Sequence, residues 1–194
     1  MNIAILSGSA RANNNTIRVG KAIQLRLNKM GHMASLVDFQ HYDIPLINQG
    51  PIEESIFTAF QQELANAMKE AQAIILITPE YNWSTTPEIL NFLHRLGDYT
   101  FKHLFDEKVF ATVGVSTGKG GKAPALHLHS ILNKIISHTD LDSFVSAKIF
   151  ESHYTKEVLD EQGNTLGNIL FDAGLDDFIS YTLRMTERWN QASR

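Results

Sequence analysis

The sequence predicts an α/β protein: a three-layer α/β/α sandwich with helices on both faces of a five-stranded parallel sheet of order 2-1-3-4-5. Three observations carry that reading. Short apolar runs rich in β-branched residues recur at 2–7, 33–39, 72–78, 108–115 and 143–150, each followed by a longer polar or amphipathic stretch. Strict alternation of strand and helix implies parallel strands joined by right-handed crossovers. Ala73 to Ile77 is apolar at every position, the pattern of a strand buried on both faces. Five strands in a chain of 194 residues favour this order over the six-stranded dinucleotide-binding sheet.

The helices follow from spacing. The first places Ile17, Gly20, Ile23, Leu27 and Met30 three or four residues apart, with Gly31 as its stop. The second aligns Ile56, Phe60, Leu64, Ala67 and Ala71. Pro87 suits the first turn of a third helix carrying Ile89, Leu90 and Leu93. The stretch 120–137 aligns Leu128, Leu132 and Ile135, and a last helix is expected over 173–190. Between the fifth strand and that helix, Ser152 to Gly167 reads as a turn-containing excursion, with Glu157 to Glu161 a solvated loop. No repeat or linker interrupts the chain, so residues 1–194 are expected to form a single domain.

Composition removes several function classes. With 43% apolar and 20% charged residues and a formal charge of −4, the chain is neither disordered nor a polyelectrolyte. It holds no cysteine, which excludes disulfides, thiolate metal sites and a cysteine nucleophile. The longest apolar run, Ala73 to Ile77, is far short of the ~20 residues of a membrane span, and no secretory leader pattern opens the chain. A cytoplasmic protein is expected. Without a Lys/Arg stripe, nucleic acid is not an expected partner. Of the eight histidines, His127 and His129 are two apart on a helix and point to different sides, so no metal site is expected.

In open parallel sheets, ligands bind beyond the carboxyl ends of the strands. The first such loop, Ser7-Gly8-Ser9-Ala10-Arg11-Ala12-Asn13-Asn14-Asn15-Thr16, joins a buried strand to a helix N-terminus, where small polar side chains and one arginine can cradle a phosphate. The same residue types also serve as a plain N-cap and turn. The loop after the third strand, Thr78 to Pro87, sets Tyr81 and Trp83 beside an amide and two prolines, able to wall a planar ligand. After the fourth strand, Ser116-Thr117-Gly118-Lys119-Gly120-Gly121 lets backbone approach a ligand closely. One phosphate end and one flat aromatic end describe flavin mononucleotide.

At this point the sequence resembles a known family. The elements G-S-x-R, P-E-Y-N and S-x-G-x-G-G after strands one, three and four, with the Asp43-Ile44-Pro45-Leu46-Ile47 stretch, resemble the NADPH-dependent FMN reductases, a family of quinone, azo and chromate reductases on a flavodoxin-like fold. The resemblance fades after about residue 151. It implies that Ser9 and Arg11 bind the FMN phosphate, with Asn14, Asn15 and Thr16 at the helix start. It further implies that Pro79, Glu80, Tyr81 and Asn82 border the ring and ribityl chain, and that Ser116, Thr117, Gly118 and Gly121 approach the pyrimidine edge. The substrate face would be Tyr81 and Trp83, with backbone donors of the third loop stabilising charge on the reduced ring. FMN is the implied cofactor, NADPH or NADH the reductant, and a homodimer or homotetramer the implied assembly; no catalytic side chain is needed, since the cofactor carries the chemistry. The chain departs from the family pattern at Asn14, where Ser is common, at Thr86, where Pro is usual, and at Leu90, His94 and Arg95.

Two other readings compete. A non-enzymatic FMN electron carrier would share the fold, although such proteins are more acidic. Gly114-Val115-Ser116-Thr117-Gly118 also matches the G-x-S-x-G elbow of a serine hydrolase, which would use Ser116 with Asp140 or Asp142 and His153.

Overall fold

The computed structural model describes residues 1–192. Its order is β1 (Asn2–Ser7), α1 (Asn15–Lys29), β2 (Met33–Asp38), α2 (Ala59–Glu70), β3 (Ala73–Pro79), α3 (Pro87–Leu96), β4 (Val109–Val115), α4 (Lys122–Thr139), β5 (Phe144–Ser152), α5 (Thr155–Val158) and α6 (Ile169–Ala192). The five strands are all parallel and lie in the order β2-β1-β3-β4-β5. This is the flavodoxin-like sheet that the alternation of elements predicts.

Period-two alternation sends successive strand side chains to opposite faces, which builds two cores. Ala4, Leu6, Ile74, Leu76 and Phe110 face α2, α3 and α4 in a core rich in aromatics, among them Phe39, Phe60, Phe92 and Phe105. Ile3, Ile5, Ile75, Val113 and Val115 face α1 and α6 in a core that is chiefly aliphatic. Central β4 is buried at all seven positions and β3 at all but its last, as strands covered on both sides must be.

Local chemistry sets the helix ends. Asn14 caps α1 by accepting from the Ile17 N–H at 2.7 Å. The helix closes after Met30, where the N–H groups of Gly31 and His32 return to the carbonyls of Asn28 and Leu27. Thr58 and Gln61 form a reciprocal capping box at α2, so Ile56 falls before that helix and is 72% exposed rather than part of its apolar face. Pro87 occupies the first turn of α3, as its fixed φ favours. The last helix starts four residues earlier than its spacing predicts, because Asn168 caps it by accepting from the Phe171 N–H at 3.0 Å.

β5 is the other difference. It runs to Ser152 and carries an irregularity against β4, with Phe110 opposite Val145 but Thr112 opposite Ile149. Such bulges are common on edge strands, where they twist the exposed edge away from further pairing.

Candidate functional site

The carboxyl ends of β1, β3 and β4 surround a cavity of about 510 Å³. Of the residues the sequence singles out, Ser9, Arg11, Asn14, Asn15, Pro79, Glu80, Tyr81, Asn82 and Thr117 line it. Ala12 and Asn13 of the first loop, Val115 and Lys156 line it as well, and of these Lys156 lies outside every motif read from the sequence. Thr16, Ser116, Gly118, Gly121 and Trp83 are not on its wall.

The first loop is held by its own side chains. Asn14, buried, spends its whole amide on the loop: Oδ1 accepts from Ile17 N–H and from Thr16 Oγ1 at 2.5 Å, and Nδ2 donates to the carbonyls of Arg11 at 2.8 Å and Ser9 at 3.3 Å. The Asn14 side chain is thus the frame of the cradle. Thr16 is fully buried, its hydroxyl also paired with Ser7 Oγ at 2.9 Å, which explains why it does not reach the cavity. From α3, Thr86 Oγ1 donates to the Gly8 carbonyl at 2.7 Å and accepts from Ile89 N–H, so the residue standing where Pro is usual ties this loop to a helix. With the side chains so engaged, the N–H groups of Ala12 and Asn13, two residues of the cavity wall, have no acceptor among the described residues.

The second loop is a tight two-residue hairpin. Tyr81 and Ser84 exchange both backbone hydrogen bonds at 2.9 Å, and the two central residues, Asn82 and Trp83, have φ of 51° and 66°. That is the geometry of a type I′ turn. Asn tolerates it, whereas a bulky side chain adopts it at a cost. Tyr81 is turned inward, with the Arg11 guanidinium 4.4 Å above its ring, and Trp83 is turned out to solvent at 82% exposure. The turn therefore separates the two aromatics assigned to the substrate face.

In the third loop the glycine backbone donors are already engaged. Gly118 N–H donates to Ser116 Oγ at 3.3 Å, Gly120 N–H to His153 Nδ1 at 3.1 Å, and Gly121 N–H to the Glu80 carboxylate. These three N–H groups point at protein acceptors, so any backbone donor of this loop to a ring would have to come from its other positions. Gly121 lies instead against Gly114 of β4, so close that a Cβ on either would overlap backbone of the other. Sequence spacing alone could not show that Glu80 and His153 would cross over to cap this loop.

The same geometry removes the hydrolase reading. Ser116 Oγ serves the Gly118 N–H, and Asp140 and Asp142 precede β5, at the amino end of the sheet. The strand between separates them from Ser116 by roughly 20 Å. No triad assembles.

Away from the cavity, Asn91 on α3 anchors the segment after β2, donating to Tyr42 Oη at 2.6 Å and to the carbonyls of Ile44 and Pro45. Burial holds the Tyr42 phenol well above its ordinary pKa, so it stays protonated. Arg95, one turn beyond Asn91 on α3, donates to the Gly50 carbonyl at 2.6 Å, while His94 is exposed. Burial pushes His129 down from its ordinary value; among the described residues no cluster of side chains is placed to hold a metal ion.

The family model described as NADPH-dependent FMN reductase matches residues 1–151. The chain belongs to the NADPH-dependent FMN reductase family. Solved structures agree on the fold. The flavoenzyme NAD(P)H:(acceptor) oxidoreductase FerB from Paracoccus denitrificans matches at 18% identity and a TM-score of 0.66, over 94% of this chain and 97% of that one. An NADH:FMN oxidoreductase, EmoB, matches at 17% identity and 0.58 over 94% and 88%. A flavodoxin from the domain Archaea matches at 13% and 0.54 over 97% and 99%. Comparison by sequence with curated proteins finds no match.

The cavity passes a chemical test for the flavin of this family. Free N–H groups and Arg11 suit an anion, and the buried Oδ1 of Asn15, which has no donor partner, suits a ligand hydroxyl.

Proposed function

We propose that residues 1–194 act as one FMN-binding domain that moves hydride equivalents from NADPH or NADH to a small acceptor such as a quinone, an azo compound or free flavin. The observation that carries this reading is the convergence of three loops on one cavity, which brings the anion cradle and the Tyr81 ring onto one wall. Bound FMN would supply the redox chemistry, accepting hydride from the nicotinamide and giving up electrons to the acceptor.

The chain's own residues bind, orient and polarise. In this reading Ser9, Arg11 and the N–H groups of Ala12 and Asn13 hold the phosphate, the last pair backed by the N-terminus of α1. Asn15 Oδ1 accepts from a ribityl hydroxyl. Pro79, Glu80, Tyr81 and Asn82 border the ring, and the exposed Trp83 offers a stacking surface to an acceptor or nicotinamide. Glu80 and His153 hold the glycine loop rigid at the ring's far edge. Thr117 and Lys119, the members of that loop whose N–H groups have no acceptor among the described residues, are the remaining backbone donors for charge on the ring. Pairing of two or four copies belongs to the same reading, with α3 and its Leu90, His94 and Arg95 as the expected contact.

The deciding experiment is the visible spectrum of the purified protein after FMN is added, followed by anaerobic NADPH and NADH. Flavin bands at about 370 and 450 nm that are retained on desalting and bleach with either nucleotide are expected. Retained flavin that neither nucleotide reduces would make the protein an electron carrier. Failure to retain FMN would overturn the reading.

A further inference from the structure

The residues after β5 lie outside the family match, yet one of them, Lys156, reaches the cavity. The segment that carries it is a fixed strap. Tyr154 N–H donates to the Gly118 carbonyl at 3.0 Å, and Thr155 Oγ1 to the Ser116 carbonyl at 3.3 Å, so the strap begins on the third loop. It then crosses α1, where Arg18 donates to the Leu159 carbonyl at 3.3 Å and pairs with Glu161 at 3.1 Å, and Lys21 donates to the Glu161 carbonyl at 3.0 Å. Gly163, at φ 82°, presses so tightly onto the helix that a Cβ would sit 2.6 Å from Ala22 N. These ties fix the segment that carries Lys156 between the third loop and α1, and Lys156 lines the cavity together with Arg11, Ala12 and Asn13.

Charge gives that placement a meaning. The charged residues on the wall are Arg11, Lys156 and Glu80, and the Glu80 carboxylate is taken by Gly121 N–H. No acid stands in the first turn of α1. A phosphomonoester carries about −1.5 to −2 near neutral pH, more than one guanidinium neutralises. Lys156 has no ion-pair partner among the described residues.

We infer that Lys156 is a second phosphomonoester-binding cation of this site, delivered by the strap, and that the phosphate it holds is that of FMN. The inference rests on the flavin reading above. It makes the strap part of the cofactor site and gives the protein a means of distinguishing FMN from unphosphorylated flavin.

The test titrates FMN and riboflavin into wild type, Lys156→Gln and Lys156→Arg by flavin fluorescence, at low and high salt, and measures kcat/KM for NADPH and NADH. Lys156 is exposed, so the variants should fold. The expected result is FMN affinity weakened roughly tenfold or more in Lys156→Gln, with riboflavin unchanged, a shallower salt dependence, and recovery in Lys156→Arg. If FMN binding is unchanged but kcat/KM falls for NADPH alone, the same cation holds the nucleotide's 2′-phosphate, which supports the phosphomonoester site and corrects its source. Variants that match a flavin-binding wild type in every arm overturn the inference alone. A wild-type chain that binds no FMN overturns both it and the reading beneath it.

Discussion

The first and third loops stand side by side at the carboxyl end of the sheet, and they distribute their hydrogen bonds in opposite ways. In the first, Asn14, Thr16 and Ser7 spend their side chains holding the loop together, which leaves backbone N–H groups unpaired at the cavity. In the third, glycine N–H groups are consumed by Ser116, His153 and Glu80, and the loop has few donors left to offer. In the proposed function the first loop receives an anion. The third is built to keep its shape. Glycines in a sequence therefore do not by themselves mark a donor array, because what matters is whether a side chain from another element has already claimed the N–H.

The largest effect should come from breaking the shape-keeping loop. Gly114→Ala places a methyl group against the Gly121 carbonyl in the interior of a fully buried strand, where neither backbone can retreat. We expect a loss of about 2–4 kcal/mol of stability, read as a lowered denaturation midpoint. Full stability in this variant would mean that the two glycines are not packed as described.

Next in size is the anion-receiving loop. Arg11→Ala removes a charge-assisted contact while leaving the Asn14 frame intact, so folding should be preserved and FMN affinity should fall by about 1.5–3 kcal/mol, or roughly ten- to a hundredfold. The two substitutions sharpen the comparison when made together. One should damage stability first and the other binding alone. Wild-type FMN affinity in Arg11→Ala would show that the backbone N–H groups suffice without the guanidinium, whose resting place is over Tyr81.

Sequence reasoning reached the sheet and its order because those rest on local signals. β-Branched apolar runs, Pro87 in a first turn and Gly31 after a last one are each read from a few neighbouring residues. The first loop was legible for the same reason, since its residue types and its position before a helix are both local. The strap was not. Its docking depends on Arg18 meeting Leu159 across 141 positions, and a run such as Glu157 to Glu161 gives no sign that a backbone carbonyl within it will be captured. The capture of Gly120 by His153 is likewise a pairing of two strand ends that becomes visible only when β4 and β5 lie side by side. Ile56 misled because its spacing continues the pattern of α2, while the capping box at Thr58 fixes the boundary after it.

The second loop offers the smallest change in stability and the cleanest separation of fold from function. Trp83 holds a left-handed backbone conformation that costs an L side chain about 1 kcal/mol or more, and it covers no core in return. Trp83→Gly removes that cost and should be neutral to stabilising by up to about 1 kcal/mol. Trp83→Ala keeps the strain and should leave stability within about 0.5 kcal/mol of wild type. If the indole is present for stacking, both variants should raise KM for the acceptor or the nucleotide by similar factors despite their different stabilities. A change in KM that tracked stability instead would assign the effect to the turn's backbone. Unchanged kinetics in both would leave Tyr81 as the aromatic of the substrate face.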